Sequence, residues 1–171
     1  LTRAGDGPLE GTALRRPAPP RGVTQRRLTF TAGCKFPGVV TTPRHWVRAS
    51  PDGSQLAFLM KDDAGVVQLW TISPAGGPPR QVTRHATGIA SAFSWSPDGS
   101  RLAHVRDSSV FVTEVATGRG TRLTPRTADA EAPLPLACVF SPDGRHVAYL
   151  RNVRRDGATF SQVFAVSVPS P

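Results

Sequence analysis

The tetrapeptide Ser50-Pro51-Asp52-Gly53 occurs again as Ser96-Pro97-Asp98-Gly99 and as Ser141-Pro142-Asp143-Gly144 in this chain of 171 residues. The first two aspartates are 46 residues apart, and the next two are 45 residues apart. A matching segment follows each copy, as Leu56-Ala57-Phe58, Leu102-Ala103-His104 and Val147-Ala148-Tyr149. Three copies in register, each with the same continuation, indicate one structural unit that is repeated along the chain.

The tetrapeptide has the composition of a tight turn. Proline presets φ for the second residue of a type I turn, and serine or aspartate oxygens accept nearby backbone N–H groups. Glycine then adopts the left-handed conformation from which the next strand begins. We therefore predict that Asp52, Asp98 and Asp143 stabilise hairpin turns, and we assign them neither to catalysis nor to metal binding.

Segments rich in β-branched and aromatic residues lie between these turns, at 66–73, 110–116 and 160–168. The first two are followed by a turn and by a shorter strand-like segment, at 80–83 and 121–124. Each period thus contains four short antiparallel strands, which is the content of one β-propeller blade. The prediction is an all-β fold, a partial β-propeller of about three four-stranded antiparallel blades.

The repeat also predicts the organisation of the chain. Residues 1–24 are rich in proline and glycine and are expected to form an extended linker. Residues 25–171 form the partial propeller, in which 25–30 is the fourth strand of a preceding blade. The three blades are expected at about 44–84, 89–125 and 135–168.

Three blades do not close a ring, because propellers typically have about 4–8 blades. Two apolar sheet faces would stay open, which favours association. We expect the remaining blades to come from a longer parent chain or from self-association. In the second case, strand 25–30 of one copy would complete the third blade of another.

Composition excludes several classes of protein. The chain is 39% apolar, which is too high for a disordered chain, and it has no apolar run long enough for a membrane helix. Lys and Arg number 21 against 12 acidic residues, giving a net charge of +9. Because the arginines are spread along the chain and lack interleaved aromatics, we predict no nucleic-acid partner.

No motif for catalysis or cofactor binding is present in the sequence. A nucleophile elbow, a phosphate-binding glycine loop, a His-Glu-x-x-His motif and a calcium loop are all missing. Cys34 and Cys138 are too isolated for a metal site or a disulfide framework, and Cys138 is expected to pack as a small hydrophobe. We therefore predict no catalytic residues, no metal ligands and no cofactor.

One set of loops is a candidate for ligand binding. A propeller usually binds its ligand at the end where the loops between blades and the loops between second and third strands meet. The candidate residues at this end are Arg44, His45, Asp62, Asp63, Arg84 and His85, with Lys61 and Asp107 beside them. They could bind an acidic sugar, a peptide carboxylate or a cation, or they form a solvated charged rim.

The repeats resemble the TolB-like, WD-repeat-like propellers of bacteria. More closely, the chain resembles the C-terminal part of a bacterial family of TolB-like propeller proteins labelled biopolymer transporter Tol. The segments that carry this resemblance are 7–12, 17–20, 25–31, 43–48 and 57–65. The resemblance implies a larger parent protein and a periplasmic location, although a cytoplasmic one is compatible with the sequence.

Two functions follow from these observations. The resemblance implies a non-catalytic propeller module for protein or peptide interaction. The alternative is a propeller enzyme or binder acting on acidic oligosaccharides, similar to oligogalacturonide-lyase-like proteins. An enzyme needs histidines and acidic groups that converge in one pocket, so the positions of the candidate residues bear on this choice.

Overall fold

The computed structural model describes residues 47–89, 92–126 and 133–169. These residues form three antiparallel sheets, which confirms the predicted all-β propeller fold. Among them there is no helix of the length and apolarity needed to cross a bilayer. The predicted linker 1–24 and the predicted strand 25–30 lie outside the described residues.

The strands of each sheet follow one another along the chain and pair with their sequence neighbours. The first sheet consists of β1 (Val47–Ala49), β2 (Leu56–Lys61), β3 (Val67–Ile72) and β4 (Arg80–Gln81). The second consists of β5 (Phe93–Trp95), β6 (Arg101–Arg106), β7 (Ser109–Glu114) and β8 (Gly120–Arg122). The third, within 133–169, consists of β9 (Pro133–Phe140), β10 (His146–Arg155) and β11 (Ala158–Ser167).

The Ser-Pro-Asp-Gly turns join the first two strands of each sheet, as predicted. In the second copy, Gly99 N donates to the Ser96 carbonyl at 2.9 Å, and Gly99 has a φ of +70°. The Ser96 hydroxyl accepts from Arg101 N at 2.9 Å and donates to Asp98 Oδ1 at 2.5 Å. This donated hydrogen bond is the main reason why the pKa of Asp98 is lowered to about 2. The aspartate is therefore a structural part of the turn.

The first and second sheets pack face to face. Ala57, Leu59 and Leu69 lie against Phe93 and Leu102, and each of these side chains is at most 4% exposed. At the edge of this contact, Trp95 Nε1 donates to the Arg48 carbonyl at 3.0 Å. Full burial of such a side chain contributes about 1.5–3 kcal/mol, so the contact between sheets is a large part of the stability of the fold.

The second and third sheets repeat this arrangement. Ala103, Val105 and Val110 pack against Cys138 and Val147. The buried Cys138 is 1% exposed, which confirms that it packs as a small hydrophobe, and burial raises the pKa of its thiol to about 12. Between the sheets, the backbone N–H of Phe140 in β9 donates to the Ser94 hydroxyl in β5 at 3.1 Å.

The antiparallel order places two sets of connections at opposite ends of the sheets. At one end, here called the upper end, lie the β2–β3, β6–β7 and β10–β11 turns and the described part, 82–89, of the connection from β4 to β5. At the other end, the lower end, lie the Ser-Pro-Asp-Gly turns and the β3–β4 and β7–β8 turns. Of the candidate residues of the sequence analysis, Asp62, Asp63, Arg84 and His85 lie at the upper end.

The turn geometry leads to a stability prediction for Ser96→Ala. The substitution removes the acceptor of Arg101 N and the donor to Asp98, so we expect the free energy of unfolding to fall by about 1–2 kcal/mol. Denaturant unfolding monitored by tryptophan fluorescence measures the change. The control is Ser54→Ala, because the exposed Ser54 hydroxyl only donates to Asp52 Oδ1. Equal losses in both variants would contradict the role assigned to Ser96.

Candidate functional site

Asp62 closes the β2–β3 turn at the upper end. Its Oδ1 accepts from Ala64 N at 3.1 Å and from Val66 N at 2.9 Å, and the turn is completed by Gly65, with a φ of +79°. Its other oxygen accepts from Gln68 Nε2 at 3.1 Å. Both carboxylate oxygens are thus engaged within the protein. Asp62 therefore acts as an anchor of the turn in this structure.

Gln68 connects this turn to the loop that carries His85. The fully buried Gln68 side chain donates through Nε2 to the His85 carbonyl at 2.8 Å. Its Oε1 accepts from His85 N at 3.2 Å and from the Thr83 hydroxyl at 2.8 Å. The Gln68 side chain therefore holds this loop in place through the backbone groups of His85. The structure brings Asp62 and His85 together through Gln68, while the imidazole of His85 points towards the second sheet.

The His85 ring meets a stack of side chains on the second sheet. Its centroid lies 5.7 Å from that of His104, and the His104 ring stacks on Phe111 at 5.9 Å with an angle of 15° between planes. The guanidinium of Arg106 lies 4.5 Å from the centroid of the Phe111 ring. Arg106 also pairs with Asp107 at 3.2 Å. We call His85, His104, Arg106 and Phe111 the histidine cluster.

Several nitrogen atoms of the histidine cluster are buried without a hydrogen-bond partner among the described residues. They are His85 Nε2, both ring nitrogens of His104, and Arg106 Nε. Burial is the main cause of a lowered pKa in both histidines, and the positive charge of Arg106 adds to it. The pKa of the fully buried His104 falls to about 3. Both imidazoles are therefore neutral at pH 7 and can donate or accept a hydrogen bond.

A hydrogen bond joins the two connections that carry residues of the cluster and of its ion pair. The Thr87 hydroxyl donates to Asp107 Oδ1 at 2.7 Å, which joins the β4–β5 connection to the β6–β7 turn. Asp107 has a positive φ of 46° in that turn. This exposed hydrogen bond thus links the loop that carries His85 to the turn that follows Arg106.

The other candidate residues are distributed as follows. Asp63, Arg84 and Lys61 are exposed at the upper end, outside the histidine cluster. Arg44 and His45 lie outside the described residues. Within 47–89, 92–126 and 133–169, no group of three or more His, Cys, Asp or Glu side chains is arranged to hold a metal ion.

Sequence reasoning did not include His104 among the candidate residues. The repeat carried a signal, because His104 occupies the position that is Phe58 in the first sheet and Tyr149 in the third. Each of these residues pairs across the sheet with an aromatic, so a histidine there replaces part of an apolar stack. Its neighbour His85 lies in the connection from β4 to β5, and no local pattern predicts that contact.

Comparison with known proteins places the chain among propellers. The model of the family described as "Dipeptidyl peptidase IV (DPP IV) N-terminal region" matches residues 71–156, which is half of the chain. The uncharacterized protein YidR of Escherichia coli (strain K12) is 52% identical over 147 residues. The match covers 86% of this chain and 35% of that protein, so the chain spans about a third of its relative.

Solved structures agree on the fold. The tricorn protease superimposes with a TM-score of 0.56 at 15% identity, over 70% of this chain and 11% of that one. TolB from Acinetobacter baumannii superimposes with a TM-score of 0.50 at 23% identity, over 71% of this chain and 31% of that one. These similarities concern the fold, and they confirm the TolB-like propeller resemblance.

The buried histidine leads to a prediction of pH dependence. The folded pKa of His104 is about 3 and the unfolded one is near 6.5, so the unfolded chain binds the proton first as the pH falls. The contribution of His104 to the free energy of unfolding is fully present above pH 6.5. It is lost below that pH, by roughly 3 kcal/mol between about pH 7 and pH 4. The variant His104→Phe is expected to lose this part of the pH dependence.

Urea unfolding of the parent chain and of His104→Phe at several pH values measures the difference. Other groups titrate in both proteins, so the comparison isolates position 104. The control is His146→Phe, because His146 is exposed. Parallel stability profiles for the parent and His104→Phe would contradict the burial of a neutral imidazole.

Proposed function

The chain belongs to the family described as the dipeptidyl peptidase IV N-terminal region, and on that basis we propose that it is a non-catalytic propeller module of a larger protein. In this proposal the module binds a protein or peptide partner at its upper end. The observation that carries the proposal is that the upper end presents exposed charges of both signs, Asp63 and Arg84, on the turns and connection that also carry the half-buried His85 and Asp107.

The arrangement suits recognition of a peptide better than recognition of one small ligand. Asp62 is engaged by the turn and by Gln68, so the free charges of this region lie on the surface. Exposed charges around a rigid scaffold are typical of polar rims that orient a macromolecular partner. The loops are held by buried hydrogen bonds, such as Thr83 to Gln68, which limits the ordering cost of binding.

The arginines beside the two histidines favour a second candidate function, the binding or processing of acidic oligosaccharides. Arg106 and Arg122 both lie over the Phe111 ring, at 4.5 and 5.4 Å from its centroid. Positive groups beside neutral imidazoles suit a carboxylate more than a cation, since the arginine charge that lowers the histidine pKa also repels metal ions.

We further propose that another blade of the parent protein packs against the third sheet. Val163 and Val139 are 73% and 48% exposed on the face that points away from the second sheet. The residue equivalent to Val163 is Leu69 in the first sheet and Val110 in the second, and both are fully buried by the next sheet. An apolar face of this kind is typical of an interface.

The first experiment selects ligands for the chain from a library of displayed random peptides. The double variant Asp63→Lys with Arg84→Glu keeps the net charge and reverses both exposed charges. We expect it to weaken the selected peptides about tenfold, as two surface ion pairs contribute roughly 0.5–1 kcal/mol each. Fluorescence anisotropy measures the dissociation constants.

The matched control is the swap Glu114→Arg with Arg119→Glu at the lower end. These side chains form an ion pair at 2.6 Å, and the swap preserves both the pair and the net charge. Equal weakening by both double variants would contradict a site at the upper end. Cleavage of an oligogalacturonate by the chain, detected by absorbance of an unsaturated product, would favour the second candidate instead.

The open face leads to a separate prediction. The chain taken alone is expected to self-associate through the third sheet, and Val163→Asp should shift it towards the monomer in sedimentation velocity. The control is Ala86→Asp, which places the same charge at an exposed position of the β4–β5 connection. If the unsubstituted chain is monomeric at high concentration, that result would count against an open blade interface on the third sheet.

A further inference from the structure

The hairpin of β10 and β11 extends beyond the other hairpins of the upper end. Pairing between the second and third strands ends at Lys61 and Val67 in the first sheet. In the third sheet it continues past the equivalent pair, Asn152 and Ser161, to Arg155 and Ala158. The additional residues 153–160, here called the hairpin arm, add about 10 Å of paired strand.

The hairpin arm is a regular structure. Its turn is formed by Asp156 and Gly157, with φ values of 51° and 77°, as in a two-residue type I′ hairpin. From this turn to the lower end, β10 and β11 form ten residue pairs without a bulge. At its base the Ser161 hydroxyl donates to Asn152 Oδ1 at 2.8 Å. The arm is thus preorganised, and a partner would not have to order it.

One edge of the hairpin arm carries unprotected backbone groups. In such a hairpin Arg155 and Ala158 exchange both hydrogen bonds, so Thr159 and Ser161 direct their N–H and C=O groups away from β10. In the first and second sheets the fourth strand pairs with positions equivalent to 164–166. The residues after it donate to the carbonyl of the position equivalent to 163 and, in the first sheet, also to the carbonyl of the position equivalent to 161. A complete third blade would therefore leave the edge at Thr159 free.

The sequence does not protect this edge. Natural edge strands are blunted by charges, proline or bulges, yet the segment Ala158-Thr159-Phe160-Ser161 has none of these. Phe160 is 51% exposed and pairs with Val153 on the face that continues the stack of Tyr149 on Phe164. An exposed aromatic side chain beside a free strand edge favours the binding of an extended peptide that pairs with β11 as an additional strand.

Charge indicates which partner fits the arm. Arg154 and Arg155 are exposed, and the arm has one acidic residue, Asp156, which lies 3.6 Å from Arg155. A second copy of this chain paired along the same edge would bring two basic arms together, and the repulsion between their arginines is unfavourable. An acidic segment has the complementary charge.

We propose that the hairpin arm binds an extended, acidic segment of a partner protein, which pairs with the β11 edge at Thr159 and Ser161. Phe160 contacts apolar side chains of this segment, and Arg154 and Arg155 contact its carboxylates. The inference rests on the proposed function, because it specifies the partner of the same upper end. It does not depend on Asp63, Arg84 or the histidine cluster.

The probe is a blocked decapeptide in which glutamate alternates with valine and threonine, labelled for fluorescence anisotropy. It is expected to bind the full chain, more weakly as salt is raised. A decapeptide with lysine in place of glutamate is expected not to bind. In amide hydrogen exchange, Thr159 and Ser161 should gain protection with the acidic peptide.

Variants separate the backbone edge from the charges. Ser161→Pro removes the outward N–H at a position that is not hydrogen-bonded to β10, and should weaken binding at least about tenfold, while Ser161→Ala should retain it. Arg154→Glu with Arg155→Glu should also weaken binding about tenfold. Arg145→Glu, at the exposed lower end, is the charge control and should bind as well as the parent chain does, apart from a small long-range effect.

Several outcomes would overturn the inference. They are undiminished binding by Ser161→Pro, no binding of the acidic decapeptide at millimolar concentration, and a dimer of the chain that Ser161→Pro abolishes. A failure of the arm can be told apart from a failure of the proposed function. Selected peptides that bind the arm variants normally but lose affinity for the Asp63 and Arg84 double variant would overturn the arm and support the upper-end site.

Discussion

Each sheet must have both of its faces covered by other sheets, and the rest of the structure depends on this constraint. Leu102 and Ala103 are neighbours on β6 that point to opposite faces, and both are fully buried. One packs against the first sheet and the other against the third. A four-stranded sheet of this size cannot bury two faces alone, so the blades are stable only side by side, and the exposed Val163 marks where the series is open.

The same constraint explains the polar features of the upper end. The loop between the first two blades has to cross their interface, and the Gln68 side chain satisfies its backbone groups because buried amides need partners. That crossing brings His85 against His104, where His85 Nε2 and both ring nitrogens of His104 are buried. The low pKa values of the two histidines are therefore a consequence of blade packing together with the nearby Arg106.

The upper end thus combines two kinds of surface. Around His85 the loops are rigid and their charges are the accessible groups, whereas the hairpin arm offers backbone edges and an exposed aromatic. The two surfaces share one end because the β10–β11 turn lies on the same side as the β2–β3 and β6–β7 turns. A partner that occupied both would be oriented by the loops and held along the strand, which is consistent with a binding module of a propeller.

The repeated turn, the number of strands per repeat and the propeller fold were determined by the sequence itself, because turn chemistry and strand patterning act over a few residues. The role of Asp52, Asp98 and Asp143 in those turns followed from the same local chemistry. The tertiary structure alone decided that Asp62 is an anchor, that His104 meets His85 and that residues 153–160 rise above the blades. These features depend on which side chains face each other between sheets and on how far two strands stay paired, and neither is encoded in a local pattern.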